Sequence, residues 1–187
     1  MSRLSRDDWA VAALEAIAAG GVAAVSVEPM AARLGATKGS FYWHFKARRE
    51  LVDAALRLWE QRSTLDVIHE IEATGAAPEA RLRQLFSRAF DAHALTGVDV
   101  ALSSHFDDPQ VRDALERVTE RRIGYVARLL RQSGLSPRIA RRRAVFVYSA
   151  FLGNLQLMRS TPDLVRSNVG SLSGYADEVI ATLLDEA

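Results

Sequence analysis

The chain has 187 residues, of which 49% are apolar and 25% charged, and its 24 basic and 23 acidic side chains leave a formal net charge of +1. This balance belongs to a folded chain and excludes a polycation, so any affinity for nucleic acid has to come from a local patch. The lack of cysteine excludes disulfides, thiolate metal sites and a cysteine nucleophile, and fits a reducing compartment.

Met1, Ser2 and Arg3 lead to Asp7 and Asp8 rather than to an apolar core, so no secretory signal is expected. The longest apolar run, 144–158, contains Ser149, Asn154 and Gln156 and is shorter than the roughly 20 residues that cross a bilayer, which makes the expected location cytoplasmic. A first helix opens at Ser5, with Asp8 three residues on as a weak capping box, and ends at Gly20 and Gly21. Its apolar face is Ala10, Ala13, Leu14 and Ile17. A second helix follows Ser26, tolerates Pro29 in its first turn and stops at Gly35, with Val27, Met30, Ala31 and Leu34 on one face. Thr37 then sits as N-cap of a third helix over 38–45, whose inward pair is Phe41 and Phe45. One long helix is predicted over 47–73, through Leu51, Ala55, Leu58, Leu65 and Ile68. Others are predicted over 79–95, 109–132, 137–159 and 172–186, broken at Gly97, at Gly134 and across 162–170. No alternating strand pattern stands out, so the expected class is all-α.

Two short helices joined at a glycine, the second capped, have the layout of a helix-turn-helix, in which the second helix enters the major groove. With Phe41 and Phe45 inward, Lys38, Ser40, Tyr42 and His44 fall on outer faces, and Gly39 permits close approach of backbone. Tyr42, Trp43 and His44 can donate to phosphate oxygens while their rings pack on sugars and thymine methyls. The competing reading is an aromatic minicore, with Trp43 half-buried against the first helix. Lys46, Arg48 and Arg49 crowd the start of the next helix, where the macrodipole disfavours each cation by about 0.3–1 kcal/mol. Either a DNA phosphate or the nearby Glu50 and Asp53 would offset them.

The stretch 26–51, SVEPMAARLGATKGSFYWHFKARREL, resembles the signature of the TetR family of bacterial repressors. The likeness rests on Leu34-Gly35, Thr37-Lys38-Gly39-Ser40, Phe41-Tyr42-Trp43-His44-Phe45 and the basic start of the following helix, and covers about the first third of the chain. It implies an N-terminal three-helix bundle with a helix-turn-helix over 1–50 and a larger helical ligand-binding and dimerisation domain over 51–187. By resemblance, Lys38, Gly39, Ser40 and Tyr42 reach base edges or thymine methyls, Trp43 and His44 hold phosphates, and Lys46 or Arg48 anchors the backbone, with Ser26 and Thr37 counted in the same surface. Val27 and Glu28 depart from the tetracycline-repressor pattern, lacking a phosphate-binding hydroxyl and a base-reading arginine respectively, so the second helix is expected to read little sequence.

A symmetric dimer is expected because one short helix reads too few bases. Its interface is placed on Val147, Phe151, Asn154, Leu155 and Met158 with Tyr175, Val179, Ile180 and Leu183, as a four-helix bundle across a two-fold axis, plain intrachain core being the alternative. Expected effector-lining residues are Leu65, Ile68, Phe86, Phe90, His93, Phe106, Tyr125 and Tyr148, with His93 and His105 available to orient a polar group, and the effector itself apolar or aromatic. Asp66-x-x-His69-x-x-Glu72 puts three ligand types near one helical face, but a di-iron bundle needs more carboxylates and a second such motif. No phosphate-binding, dinucleotide or nucleophile-elbow motif is present. The reading is therefore a DNA-binding transcriptional regulator, with no enzyme activity, cofactor or metal expected, most simply a repressor released from its operator by a small molecule. The alternative is an activator, or a regulator whose C-terminal domain binds a protein.

Overall fold

The structure, a computed structural model, describes residues 4–91, 96–169 and 172–185, with only the backbone described at 90, 91, 96, 166, 172 and 173. Helix α1 (Arg6–Gly20) starts at a full capping box: the Ser5 hydroxyl accepts from the Asp8 amide and the Asp8 carboxylate accepts from the Ser5 amide at 2.7 Å. Those bonds hold the Asp8 carboxyl below the usual carboxylate range. Burial of Trp9, Ala12 and Ala16 as well as the expected Ala10, Ala13, Leu14 and Ile17 makes α1 a central helix, with neighbours on more than one side. Gly21 ends it at φ 71°, a conformation that favours glycine, and a Cβ there would meet the His105 ring.

Helices α2 (Val27–Arg33) and α3 (Lys38–His44) follow, and Gly35 makes the turn between them at φ 62°. Helix α4 (Arg48–Glu60) passes through one π-type turn, Gln61–Leu65, into α5 (Asp66–Ala73). The single helix expected over 47–73 is thus one helical run with an inserted π turn, and polar Glu60 and Thr64 are buried at it. Arg117 donates to Glu60 at 3.2 Å, and the Trp59 indole donates to Asp99 at 3.3 Å.

Then come α6 (Pro78–Asp91), α7 (Thr96–Ser103), α8 (Pro109–Gln132), α9 (Pro137–Ser160), α10 (Pro162–Val169) and α11 (Leu172–Leu184). Two of these were expected to be connectors. Gly97 falls in the first turn of α7 and Pro162 begins α10, and at a helix start neither residue removes an intrahelical hydrogen bond. Among the described residues there is no strand, and no helix is long and apolar enough to cross a membrane.

The packing divides into two compact units, Met1–Thr64 with Gly97–Val118, and Leu65–Thr96 with Thr119–Ala187. In the first, Trp9, Ile17, Met30, Phe41 and Phe45 share a core with Leu51, Val52, Leu56 and Trp59 of α4 and with Val98, Leu102, Val111 and Val118. Residue 50, the expected boundary, falls within the first unit, and Leu51 and Val52 just after it are in its core. The second core gathers Ile71, Leu82, Phe86, Ile123, Val126, Leu129, Leu130, Ala144, Tyr148, Ala176 and Ile180. Around it run the pairs Glu72–Arg81 at 2.7 Å, Arg83–Asp177 at 2.5 Å and Arg141–Glu120 at 2.7 Å.

Candidate nucleic-acid interface

Helix α3 has a buried side and a bare side. Phe41 and Phe45 are buried and stacked at 5.6 Å, and Trp9 meets Phe41 edge-on at 5.5 Å. Tyr42 meets the Phe41 ring edge-on at 5.1 Å yet is 60% exposed, and Trp43 is 71% exposed, so the two rings are not buried in an aromatic minicore. Thr37 caps the helix by accepting from the Ser40 amide at 3.2 Å. Its hydroxyl hydrogen stays available outside, as does the exposed Ser26 hydroxyl, which makes no capping bond. Gly39 has helical backbone, and a Cβ there would find only Thr37 Oγ1 at 3.6 Å, so the fold itself does not demand glycine.

The charged residues sort into three groups. Lys38, at the start of α3, is ion-paired with Glu28 on α2, and this pair holds the Glu28 carboxyl below the usual carboxylate range and raises the Lys38 ammonium. His44 and Arg48 also brace the local backbone. The His44 Nε2 donates to the Leu4 carbonyl at 2.9 Å. Arg48 donates through Nε to Val25 at 2.6 Å and through Nη2 to Val22 at 2.5 Å, fastening the 3-10 turn Val22–Ala24 onto α4. Lys46 and Arg49 remain exposed, and their side chains form no ion pair among the described residues. The local carboxylates do not neutralise them: Glu50 accepts from the Lys46 backbone amide at 3.0 Å as a cap for α4, and Asp53 accepts from Gln110 at 2.5 Å. Arg6, which the sequence did not single out, donates to the His44 carbonyl at 2.7 Å and lies 4.3 Å over the Phe45 ring, closing the C-terminal end of α3.

Residues 11–55, from α1 into α4, match the family model for bacterial regulatory proteins, tetR family. That stretch is a tetR-type domain. No curated protein matches the chain in sequence. Solved structures extend the tetR-type fold over almost the whole chain. A transcriptional regulator from Rhodococcus sp. Rha1 has a TM-score of 0.79 at 22% identity, covering 97% of this chain and 96% of that one. SmeT, the repressor of the Stenotrophomonas maltophilia multidrug efflux pump SmeDEF, has 0.65 at 22%, covering 97% and 89%. AibR in complex with isovaleryl coenzyme A and operator DNA has 0.62 at 17%, covering 96% and 97%. The chain therefore shares its fold with these regulators.

Outside the tetR-type domain the expected effector residues are only partly brought together. Phe86, Tyr125 and Tyr148 are buried in the second unit, and Leu65 and Ile68 are half-buried there. Phe106 belongs to the first unit and is 57% exposed. The Phe90 side chain and His93 lie outside the described residues. Tyr125 is less apolar than expected: burial first, and then the Glu72 carboxylate beside it, push its hydroxyl well above the ordinary tyrosine range, and Arg128 lies 5.0 Å over its ring. Glu72 is held by Arg81 and, at 3.5 Å, by Arg128, so it does not stand ready beside Asp66 and His69. His105 donates to the Ala101 carbonyl at 2.7 Å within the first unit. An open groove of about 720 Å³ between α5 and α6 is lined by Glu70, Ile71, Thr74, Arg83, Gln84 and Arg88, none of them an expected effector contact.

The apolar face of α9 is turned from its expected position. Val147 and Leu155, with Leu183 of α11, are buried within the protomer, and Phe151, Asn154, Met158, Tyr175 and Val179 are half-buried. The exposed stripe is Ile139, Phe146, Ala150, Gly153 and Leu157, with Phe146 68% and Leu157 50% exposed. Their spacing puts them on one line about a third of a turn from the expected face.

Proposed function

We propose that this chain is a sequence-specific DNA-binding transcriptional regulator, a repressor that acts as a homodimer and leaves its operator when a small apolar or aromatic molecule binds its C-terminal half. The observation that carries the reading is the outer side of α3, where Tyr42 and Trp43 stand exposed between Lys38 and the exposed Lys46 and Arg49, whose side chains form no ion pair among the described residues. Large aromatic rings left in water beside cations suit a surface of phosphates, sugars and thymine methyls. On this reading Lys38, Gly39, Ser40 and Tyr42 face base edges. Trp43, Lys46 and Arg49 face phosphates, joined by the Ser26 and Thr37 hydroxyls.

Dimerisation follows from the length of α3, whose seven residues span only about 10 Å. The exposed stripe on α9 supplies a surface for it, with Phe146 and Leu157 flanking small Ala150 and Gly153. The effector part of the proposal is supported by the buried Phe86, Tyr125 and Tyr148 and by a neighbour solved with both an acyl coenzyme A and operator DNA. A ligand that prefers the non-binding state by about 1–3 kcal/mol would loosen DNA roughly 5- to 150-fold.

Selection of bound fragments from the source genome by the purified protein, at a stated salt concentration, is expected to return a small set of two-fold symmetric sequences. A pool indistinguishable from random DNA would contradict the proposal. Gly39→Ala gives a sharper local test. Because the fold has room for the Cβ, melting is expected to be unchanged or raised by up to about 1 kcal/mol, whereas affinity for a selected fragment falls about tenfold as the backbone is kept off the base edges. Unaltered binding by a stable variant would take α3 off the groove floor.

A further inference from the structure

Glu28 and Lys38 are the acidic and basic residues that meet across the turn between α2 and α3. Their side chains are 68% and 58% exposed, and an exposed pair of flexible chains adds only about 0–1 kcal/mol to stability. Holding the two helices in place falls to others, namely buried Met30, Ala31, Phe41 and Phe45, with Arg33 tying α2 to the Ala12 carbonyl of α1 at 2.6 Å. The pair is therefore available for recognition. It also carries a carboxylate where phosphates would approach, which lowers affinity for any duplex, so a bare phosphate-binding role for Lys38 does not explain it.

The chemistry of the pair matches one base pair. In the major groove a G·C pair presents the guanine N7 and O6 acceptors beside the cytosine N4 donor. A lysine ammonium held next to a glutamate carboxylate presents a donor beside an acceptor, the complementary pattern. Resting on the proposal that α3 reads DNA, we infer that Glu28 is a specificity-determining residue: together with Lys38 it reads one G·C pair as a unit, and at other sequences it keeps Lys38 from neutralising a phosphate. With Lys38 spanning guanine N7 and O6 and Glu28 at cytosine N4, an A·T pair in the same register leaves the carboxylate facing thymine O4, a T·A pair puts a methyl group where Lys38 needs N7, and at random sequence the lysine gains a phosphate only by abandoning Glu28.

The test uses the full-length protein, its Glu28→Gln and Lys38→Ala variants and the double variant, titrated at several salt concentrations against a fragment selected by the wild type and against a random duplex of equal length. Glu28→Gln is expected to melt like the wild type and to bind the random duplex more tightly. Its plot of log K against log salt should steepen by about 0.9, one further phosphate contact, and its preference for the selected fragment should fall about 5-fold or more. In the Lys38→Ala background the same change should alter neither the slope nor the preference, because the effect runs through Lys38. An unchanged slope and preference in Glu28→Gln would overturn the inference, as would an equal change with and without Lys38. Loss of all preference in the wild type itself would instead overturn the DNA reading on which the inference stands, and take the inference with it.

Discussion

Replacing Phe146 with aspartate is expected to convert the protein to a monomer and to weaken operator binding at least 100-fold while leaving the protomer folded. Phe146 is 68% exposed in the single chain, so the protomer loses almost no packing when the ring goes. In a two-fold dimer built on α9 the same position occurs twice near the axis, and two carboxylates would be desolvated beside Leu157 and its mate. The loss in DNA affinity follows because each half of a two-fold operator is read by one protomer, and a single α3 then has to bind alone at the modest level of an isolated recognition helix. Sedimentation or light scattering gives the mass, and titration with a selected fragment gives the affinity. A dimeric Phe146→Asp protein would move the interface off the exposed stripe of α9. A monomer with undiminished operator affinity would separate dimerisation from reading.

Phe41→Ala should be the most destabilising of the single substitutions considered, costing about 3–5 kcal/mol. The ring is 1% exposed and lies between Trp9 and Phe45, and no other side chain of α3 itself is buried. A seven-residue helix has little stability of its own, so this anchor is what fixes the direction of Tyr42 and Trp43. Against a typical total of about 5–15 kcal/mol, the loss is large enough to melt the tetR-type domain well below the wild-type temperature. Urea denaturation followed by fluorescence measures it, since Trp9 and Trp59 are buried in the same core. A loss under about 1 kcal/mol would mean that α3 is held by something other than its aromatic side.

The residues of α3 were legible because two signals coincide there. Thr37 and Gly35 mark the helix ends, and the four-residue spacing of Phe41 and Phe45 decides which side is inward. Side chains whose roles depend on distant backbone were not legible. Nothing local indicates that Arg48 will find the carbonyls of Val22 and Val25, or that His44 will find that of Leu4, because these partners lie 23 to 40 residues away. Which residues of α9 the protomer buries was not legible for a related reason. The whole run 144–158 is apolar enough that periodicity admits more than one face, and only the packing of Ala144, Val147 and Tyr148 in the second core, with Leu155 buried on the same side, leaves Phe146 and Leu157 outside. Helix α10 was lost to the proline at its start, which breaks a helix only from within.

The central claim, that the bare side of α3 lies on duplex DNA, is tested most directly by the one indole on it. Trp9 and Trp59 are 0% and 1% exposed, whereas Trp43 is 71% exposed, so iodide quenching of the wild-type protein reports mainly on Trp43. Adding a selected fragment at saturating concentration is expected to abolish most of that quenching, and a random duplex at the same concentration to protect it less. Unchanged quenching of a protein shown by other means to be fully bound would place the DNA on a different surface and contradict the account.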